Sequence, residues 1–192
     1  MDYLIELDKT FFFFINIQIQ NTLFDIIMPY ITEKKNMLPY LIAIAALLVL
    51  RGGKRGREAV VLLLLAVIIS DQLSNLLKGI FQRVRPCSAL DGVRLLAGCG
   101  SSFSLPSNHA TNAFSMAIVG SLIYNRFTPL LMFFAFAVAF SRIYVGVHYP
   151  FDVALGALVG IFVGYVITTA YDILKKSREK TDIQNQTETK EQ

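Results

Sequence analysis

Three short polar clusters interrupt a largely apolar chain, and they carry the side chains that could do chemistry. The first spans residues 78–86, the second is Pro106-Ser-Asn-His109, and the third joins Ser141-Arg142 to His148 and Asp152. Both histidines of the 192-residue chain lie in these clusters, beside arginines and a carboxylate. Because an unpaired charge beside a long apolar run is expensive, this combination predicts chemistry on an anion.

The second cluster fits the start of a helix. Pro106 suits the first helical position, and the amides that follow have no intrahelical acceptor. With the Ser107 hydroxyl, these amides would form an anion cradle at the positive end of the helix dipole. His109 lies beside that cradle. The same residues also suit a simple helix cap with an interfacial histidine, and this motif alone does not separate the two interpretations.

The third cluster combines a cation with a histidine and a carboxylate. Arg142 ends an almost wholly apolar stretch, where a guanidinium suits bidentate phosphate binding or snorkels to the interface. Pro150 pushes the preceding residue towards an extended conformation, so we expect His148 just ahead of a helix whose first turn contains Asp152. A carboxylate that binds one ring nitrogen leaves the other free as a nucleophile. The alternative is a turn histidine and a helix-dipole aspartate.

The composition defines the elements that must position these clusters. The chain is 54% hydrophobic and contains several apolar runs of bilayer-spanning length, which predicts an all-α, polytopic membrane helix bundle. We expect one domain over residues 1–174 and a polar tail, disordered beyond its first turns, over 175–192. Five spans are expected, at residues 37–50, 58–78, 107–124, 129–147 and 150–174.

The segment at residues 10–32 has too many polar groups for a lipid-facing span. We expect an amphipathic helix or a helical hairpin at the membrane interface, forming a wall of the lipid entrance. If this segment crosses the membrane, the count becomes six. The acidic first residues do not fit a cleavable signal peptide.

The positive-inside rule predicts the orientation. It places the basic turn at 51–57, Arg126 and the tail in the cytoplasm, and the loop at 79–105 with the turn at His148 outside. All three clusters then share the outer face. Arg83, Arg85 and Arg94 oppose the rule there, and we interpret them as functional cations. The net charge of +4 is grouped beside apolar runs, which indicates lipid headgroups rather than nucleic acid as the partner.

The two cysteines, Cys87 and Cys99, both fall in the outer loop. They are either a disulfide on an oxidising face or two free thiols. A disulfide closing this short loop would stabilise the fold by up to about 3 kcal/mol. No further thiol or imidazole lies near enough in sequence to indicate zinc.

The spacings Lys-x6-Arg-Pro, Pro-Ser-x-His and Ser-Arg-x5-His-x3-Asp resemble the three-part signature of the type 2 phosphatidic acid phosphatase family, whose site is similar to that of vanadium haloperoxidases. The family usually has glycine where this chain has Asn108. Asparagine tolerates a left-handed backbone better than most residues, so we expect the cradle to persist. The resemblance implies a phosphate-binding set made of Lys78, Arg85, Ser107, Asn108 and Arg142.

The resemblance also implies a mechanism. His148 would attack phosphorus to give a phosphohistidine while Asp152 orients the ring. His109 would protonate the leaving oxygen and then activate water. The family needs no metal or other cofactor, and the chain has no carboxylate cluster of the kind that holds magnesium.

A site at the outer lipid–water boundary predicts a lipid phosphate substrate drawn from the bilayer, with no obligate protein partner. Compact bacterial members of the family suggest an inner-membrane enzyme acting on lipid A 1-phosphate. Undecaprenyl diphosphate, phosphatidylglycerol phosphate and phosphatidic acid are alternatives. A phospholipid transporter or flippase would need the cations but not the histidine–aspartate pair. A vanadate-dependent oxidase is a third possibility that the membrane setting disfavours.

Overall fold

The computed structural model describes residues 2–188 and shows a helical protein, with no strand in that range. The all-α class predicted from composition is confirmed. A π-helical turn (Phe14–Gln18) follows the first helix, and a 3-10 turn (Asn125–Phe127) precedes the seventh. The helices are α1 (Asp2–Phe13), α2 (Thr22–Thr32), α3 (Lys34–Arg51), α4 (Gly53–Phe81), α5 (Pro86–Ala89), α6 (Asn108–Ile123), α7 (Thr128–Tyr144) and α8 (Pro150–Glu188).

Three helical stretches in the described chain are long and apolar enough to cross a membrane by length and composition, Gly53–Ala89, Asn125–Tyr144 and Pro150–Thr181. A fourth candidate is the bent pair Tyr3–Gln18 and Thr22–Thr32, with 116° between its halves. The other two predicted spans correspond to α3, with 18 residues, and α6, with 16. The count of five or six spans therefore stays a prediction.

Two sequence expectations about helix ends were wrong. The basic turn at 51–57 shrinks to Gly52 between α3 and α4, because Gly52 and Gly56 pack against the carbonyl of Leu48 where a Cβ would not fit. The tail at 175–188 continues α8 as helix instead of being disordered, whereas residues 189–192 lie outside the described part. No glycine or proline follows Gly164, and the Lys- and Glu-rich composition favours helix.

The N-terminal segment lies across one end of the bundle. Asp8 in α1 accepts a hydrogen bond from the backbone N–H of Phe151, at the start of α8 (2.9 Å). At the other end of the segment, Thr32 in α2 accepts one from Arg142 in α7 (2.6 Å). Between them, the buried Asn16 donates to the carbonyl of Tyr144 (2.7 Å). This segment therefore packs on the same end of α7 and α8 that carries the third polar cluster.

Close packing of α6 against α8 fixes the centre of the bundle. Gly156, Gly160 and Gly164 form a glycine face of α8 that lies directly against the α6 backbone. A Cβ added at Gly156 would lie 2.7 Å from the carbonyl oxygen of Ser107, and one at Gly164 would lie 2.8 Å from the Cβ of Ile118. The absence of a side chain lets the two helices approach closely, which brings the start of α6 beside the start of α8.

The outer loop contains a disulfide and is hydrogen-bonded to the helix bundle. Cys87 and Cys99 form a disulfide with a Cα–Cα distance of 6.1 Å, one of the two arrangements that the sequence left open. The first three residues assigned to this loop, 79–81, complete α4 instead, and Pro86–Ala89 form α5. The amide of Leu96 donates to the carbonyl of Val145 at 3.1 Å, which holds the loop over the end of α7.

Candidate active site

The structure gathers the three polar clusters at one end of the helix bundle. Lys78 lies in the last turn of α4, Arg85 precedes α5, and Ser107 precedes α6. His148 and Asp152 flank the start of α8. The amide of Ser107 donates to the backbone carbonyl of Asp152 at 3.0 Å, so the second and third clusters are in direct contact.

His148 is almost completely buried, with 1% of its surface exposed. Its Nδ1 lies 3.4 Å from Oδ2 of Asp152 and 3.3 Å from the hydroxyl of Ser104. Its Nε2 lies 3.3 Å from Nη1 of Arg85. Burial is the main cause that lowers the pKa of His148 to about 3, so the ring is neutral near pH 7 and one nitrogen keeps a lone pair.

Asp152 is fully buried, and each of its carboxylate oxygens has a separate set of partners. Oδ2 accepts from the amide of Tyr149 (2.9 Å) and from the hydroxyl of Ser104, on the side of His148. Oδ1 accepts from Nη1 of Arg83 at 2.8 Å. Together these contacts fix the carboxylate beside the imidazole, in the first-turn position predicted from the sequence.

The loop segment at residues 102–104 holds Lys78 and Arg85, two of the three cations of the first cluster. Lys78 donates to the carbonyls of Phe103 and Ser104, the latter at 3.2 Å. Arg85 donates from Nε to the carbonyl of Ser102 at 2.7 Å and from Nη2 to its hydroxyl at 3.0 Å. Both cations are buried without a carboxylate at salt-bridge distance in the described chain. Their positive charges are therefore not paired with a carboxylate there, which favours the binding of an anion.

The start of α6 presents an unpartnered hydroxyl. Ser107 is fully buried, and its Oγ has no hydrogen-bond partner among the residues that the structure describes. The side chain of Asn108 donates to Asp71 (3.1 Å) and Asn75 (3.2 Å) of α4. Its amide nitrogen is thereby committed to α4, and only the backbone of residue 108 remains for a cradle. His109 lies in the first turn of α6 and is partly buried.

Arg142 is buried within the protein, with 7% of its surface exposed, rather than extended to the interface. Nη1 donates to the hydroxyl of Thr32 at 2.6 Å. Nε is buried and has no partner in the described part of the chain. Ser107 and Arg142 thus each bring a buried polar group without a partner, which is costly unless a ligand supplies one.

The arrangement suits an anion with several oxygens. It offers three buried cations, a free hydroxyl and the first amides of a helix around a neutral histidine. The described residues contain no group of three or more His, Cys, Asp or Glu side chains that could hold a metal ion.

Sequence reasoning missed several residues that complete this arrangement. Ser104 contacts both His148 and Asp152, yet it lies between the first and second motifs, in a serine-rich stretch with nothing to distinguish it. Arg83 was singled out only as a cation on the outer side. Asp8 binds Arg83 (2.6 Å), and the sequence contains no signal for that contact because the two residues lie in separate segments.

The fold and the site together define a membrane helix bundle with buried cations and polar groups at one end, an arrangement suited to a phosphate. Residues 59–176 match the family model described as the PAP2 superfamily, and the chain belongs to this family of membrane lipid phosphatases. It is 33% identical to lipid A 4'-phosphatase from Porphyromonas gingivalis over 181 residues, covering 89% of this chain and 75% of that protein. It is 30% identical to undecaprenyl-diphosphatase BcrC from Bacillus subtilis over 155 residues, covering 81% and 79%.

Two crystal structures share the fold. LpxE from Aquifex aeolicus superposes with a TM-score of 0.70 at 31% identity, covering 85% of this chain and 95% of that one. A PAP2-type phosphatidylglycerolphosphate phosphatase from Bacillus subtilis superposes with a TM-score of 0.71 at 24% identity, covering 90% and 88%. The second comparison supports the fold alone.

Proposed function

We propose that this protein removes a phosphate from a lipid headgroup through a phosphohistidine on His148. The observation that carries the proposal is the placement of the buried imidazole. Nδ1 faces Asp152 at 3.4 Å, and Nε2 faces Arg85 at 3.3 Å. A carboxylate behind the ring and a phosphate-binding cation in front of it are what a histidine nucleophile needs.

In the first half-reaction the Nε2 lone pair of His148 attacks phosphorus, and the bond from phosphorus to the lipid oxygen breaks. His109, entering as the imidazolium, gives its proton to that oxygen, so the lipid leaves in protonated form. Asp152 stabilises the positive charge that develops on the His148 ring. Donors from Lys78, Arg85, Arg142, Ser107 and the amides of residues 108 and 109 stabilise the charge on the phosphoryl oxygens.

In the second half-reaction the neutral His109 removes a proton from water, and the water oxygen attacks phosphorus. The phosphorus–nitrogen bond breaks, and its electron pair returns to Nε2 of His148. Inorganic phosphate leaves, and both histidines regain their starting protonation states. One water is consumed for each phosphate released.

Lipid A phosphate is the substrate that we favour. The relative in Porphyromonas gingivalis is named a lipid A 4'-phosphatase, and the match covers most of both chains. The sequence favoured the 1-phosphate, so both positions are tested below. Undecaprenyl diphosphate is the second candidate, since the chain is 30% identical to undecaprenyl-diphosphatase BcrC.

The proposed location is the bacterial inner membrane, with the site facing the periplasm. The basic residues 51–57 lie at the junction of α3 and α4, at the opposite end of α4 from Lys78. The positive-inside rule favours the cytoplasm for that end. The lipid phosphate then enters from the outer leaflet.

The test measures phosphate release by the purified protein in chelator from lipid A, undecaprenyl diphosphate, phosphatidylglycerol phosphate and phosphatidic acid. We expect release by wild type and none above background by His148→Ala with an unchanged elution profile. Mass analysis of the lipid A product identifies whether the 1- or the 4'-phosphate is lost. Equal release by the two proteins would refute the mechanism, and lipid binding by wild type without release would favour the transporter alternative.

A second measurement traps the intermediate. Phosphohistidine is labile in acid and stable in base, which distinguishes it from a serine phosphate. An aryl phosphate has a leaving group that needs little protonation, so it should phosphorylate His148 even in the His109→Ala variant. The phosphohistidine should then accumulate, because the variant lacks the base that activates water. With a phosphate-labelled substrate, we expect acid-labile phosphate on the His109→Ala variant and none on the His148→Ala variant. Label on the latter variant would place the nucleophile elsewhere.

A further inference from the structure

Arg83 links two buried carboxylates in a fixed geometry. Its Nη1 donates to Oδ1 of Asp152 at 2.8 Å, and its Nη2 donates to Oδ2 of Asp8 at 2.6 Å. Both carboxylates are fully buried, whereas the Arg83 side chain is 23% exposed. The guanidinium also lies over the ring of Tyr149, with 4.0 Å to the ring centroid. The planar fork of arginine is suited to holding two carboxylates in this way.

Asp8 itself is held from two sides. Its Oδ1 accepts from the amide of Phe151 at 2.9 Å, one of the amides at the start of α8 that lack an intrahelical acceptor. Helix α1 is further packed against the site through Phe12 and Tyr149, whose ring centroids lie 5.6 Å apart. The N-terminal helix therefore places a fixed negative charge next to Arg83.

We propose that Asp8 is a positioning residue for the reaction, acting through Arg83 and Asp152 on His148. This inference rests on the proposed role of His148 as the nucleophile. The four groups form a continuous chain from α1 to the imidazole, in which each polar contact spans between 2.6 and 3.4 Å. Among the described residues, His148 is the one member of this chain within hydrogen-bonding distance of a phosphate-binding cation, Arg85 at 3.3 Å.

The electrostatic reason is the charge balance around Asp152. When His148 attacks, its ring becomes positive, and Asp152 must stabilise that charge. A lone guanidinium on Oδ1 would weaken this effect, because it would neutralise the carboxylate from the other side. The negative charge of Asp8 partly offsets the positive charge of Arg83. The carboxylate of Asp152 therefore stabilises the positive imidazole more strongly. The same bonds fix the plane of the carboxylate.

The main variant is Asp8→Asn, which retains the size and removes the charge. A change of one charge within a few ångström shifts a proton affinity by about one unit or more, so we expect kcat to fall about tenfold on that principle. The KM for a soluble phosphate ester should stay within about twofold, since the phosphate-binding groups are untouched. Glu6→Gln is the matched control, because Glu6 lies on the same helix, has a 68% exposed side chain and forms an ion pair only with Lys9 among the described residues. It should leave kcat unchanged.

A double-mutant cycle with Arg83→Gln tests the route of the effect. If Asp8 acts through Arg83, Asp8→Asn should lower kcat in the wild-type background and have no further effect in Arg83→Gln. A merely structural role, such as capping α8, would lower kcat by the same factor in both backgrounds. That result, or wild-type kcat in Asp8→Asn, overturns the proposal.

Two further outcomes have a defined meaning. If Asp8→Asn does not fold, Arg83→Lys tests the same chain, because lysine keeps the charge but loses the fork. It should lower kcat about tenfold with little change in KM, and wild-type kcat in Arg83→Lys overturns the inference.

Phosphate release by His148→Ala refutes the proposed mechanism itself. Inactive His148→Ala together with fully active Asp8→Asn refutes only the role of Asp8.

Discussion

Gly156 connects the packing of α6 and α8 to the geometry of the site, and replacing it with alanine tests that connection. An added Cβ would lie 2.7 Å from the carbonyl oxygen of Ser107, whereas ordinary contact begins at 3.4 Å. The start of α6 must therefore move by about 0.7 Å, the difference between these two distances. The movement separates Ser107 and His109 from Asp152 and His148.

The expected loss follows from the sensitivity of catalysis to position. A displacement near 1 Å costs on the order of 100-fold in rate, so we expect kcat of Gly156→Ala to fall by about 10- to 100-fold. Overpacking should also cost about 1–3 kcal/mol of stability. The assay is phosphate release from a soluble ester at saturation, with thermal unfolding measured on the same detergent-solubilised sample.

Two glycine variants serve as controls. Gly164→Ala meets a similar obstacle, with its Cβ 2.8 Å from that of Ile118, but lies about 12 Å further along the helix at 1.5 Å per residue. It should lose comparable stability and much less kcat. Gly79→Ala meets nothing within 4 Å and should retain both. Equal kcat losses in Gly156→Ala and Gly164→Ala would refute the link between this contact and the site.

Two other predictions concern pH and redox state. Burial lowers the pKa of His148 to about 3 in the folded protein. The unfolded state therefore binds more protons than the folded state between about pH 3 and the ordinary histidine pKa of about 6.5. As a result, the free energy of unfolding should fall by about 2 kcal/mol from pH 7 to pH 5 through this group. Chemical unfolding at both pH values should show a smaller fall in His148→Gln, and an identical fall would contradict the assignment. Reduction of the Cys87–Cys99 disulfide should lower stability by about 3 kcal/mol and reduce kcat, because the loop after Cys99 positions Arg85. A Cys87→Ser/Cys99→Ser variant should be insensitive to reductant, and wild-type stability of that variant would contradict the prediction.

The sequence was most informative where one motif determined its own geometry. Pro150 predicted that His148 would precede a helix and that Asp152 would lie in its first turn, and the structure has Nδ1 and Oδ2 3.4 Å apart. The five expected spans and the positive-inside rule placed the three clusters on one face of the membrane without any knowledge of packing. The first inference depends on the local backbone preferences of proline, and the second depends on the number of spans. Both can be read from the sequence.

Long-range contacts could not be predicted in the same way. Asp8 meets Phe151, which lies 143 positions later, and an acidic residue near the N-terminus is indistinguishable in sequence from a solvated one. The segment at 10–32 was predicted to lie at the interface because of its polar groups. In the structure, Asn16 is buried and bonds Tyr144 (2.7 Å), so at least one of those groups serves packing rather than solvation. Polarity indicates that a group needs a partner, not whether the partner is water.

The departure at Asn108 has a physical explanation in the helix that faces it. The last turns of α4 carry Asp71 and Asn75, which would be costly in an apolar span without partners. Asn108 donates to both, and Asn112 donates to Asp71 at 2.9 Å. Glycine at 108 would leave Asp71 with one of these amides instead of two. The side chain thus joins α6 to α4 at residues three and seven positions before Lys78. Asparagine at this position therefore serves the α4–α6 contact through its side chain, while its backbone stays available to the helix N-terminus.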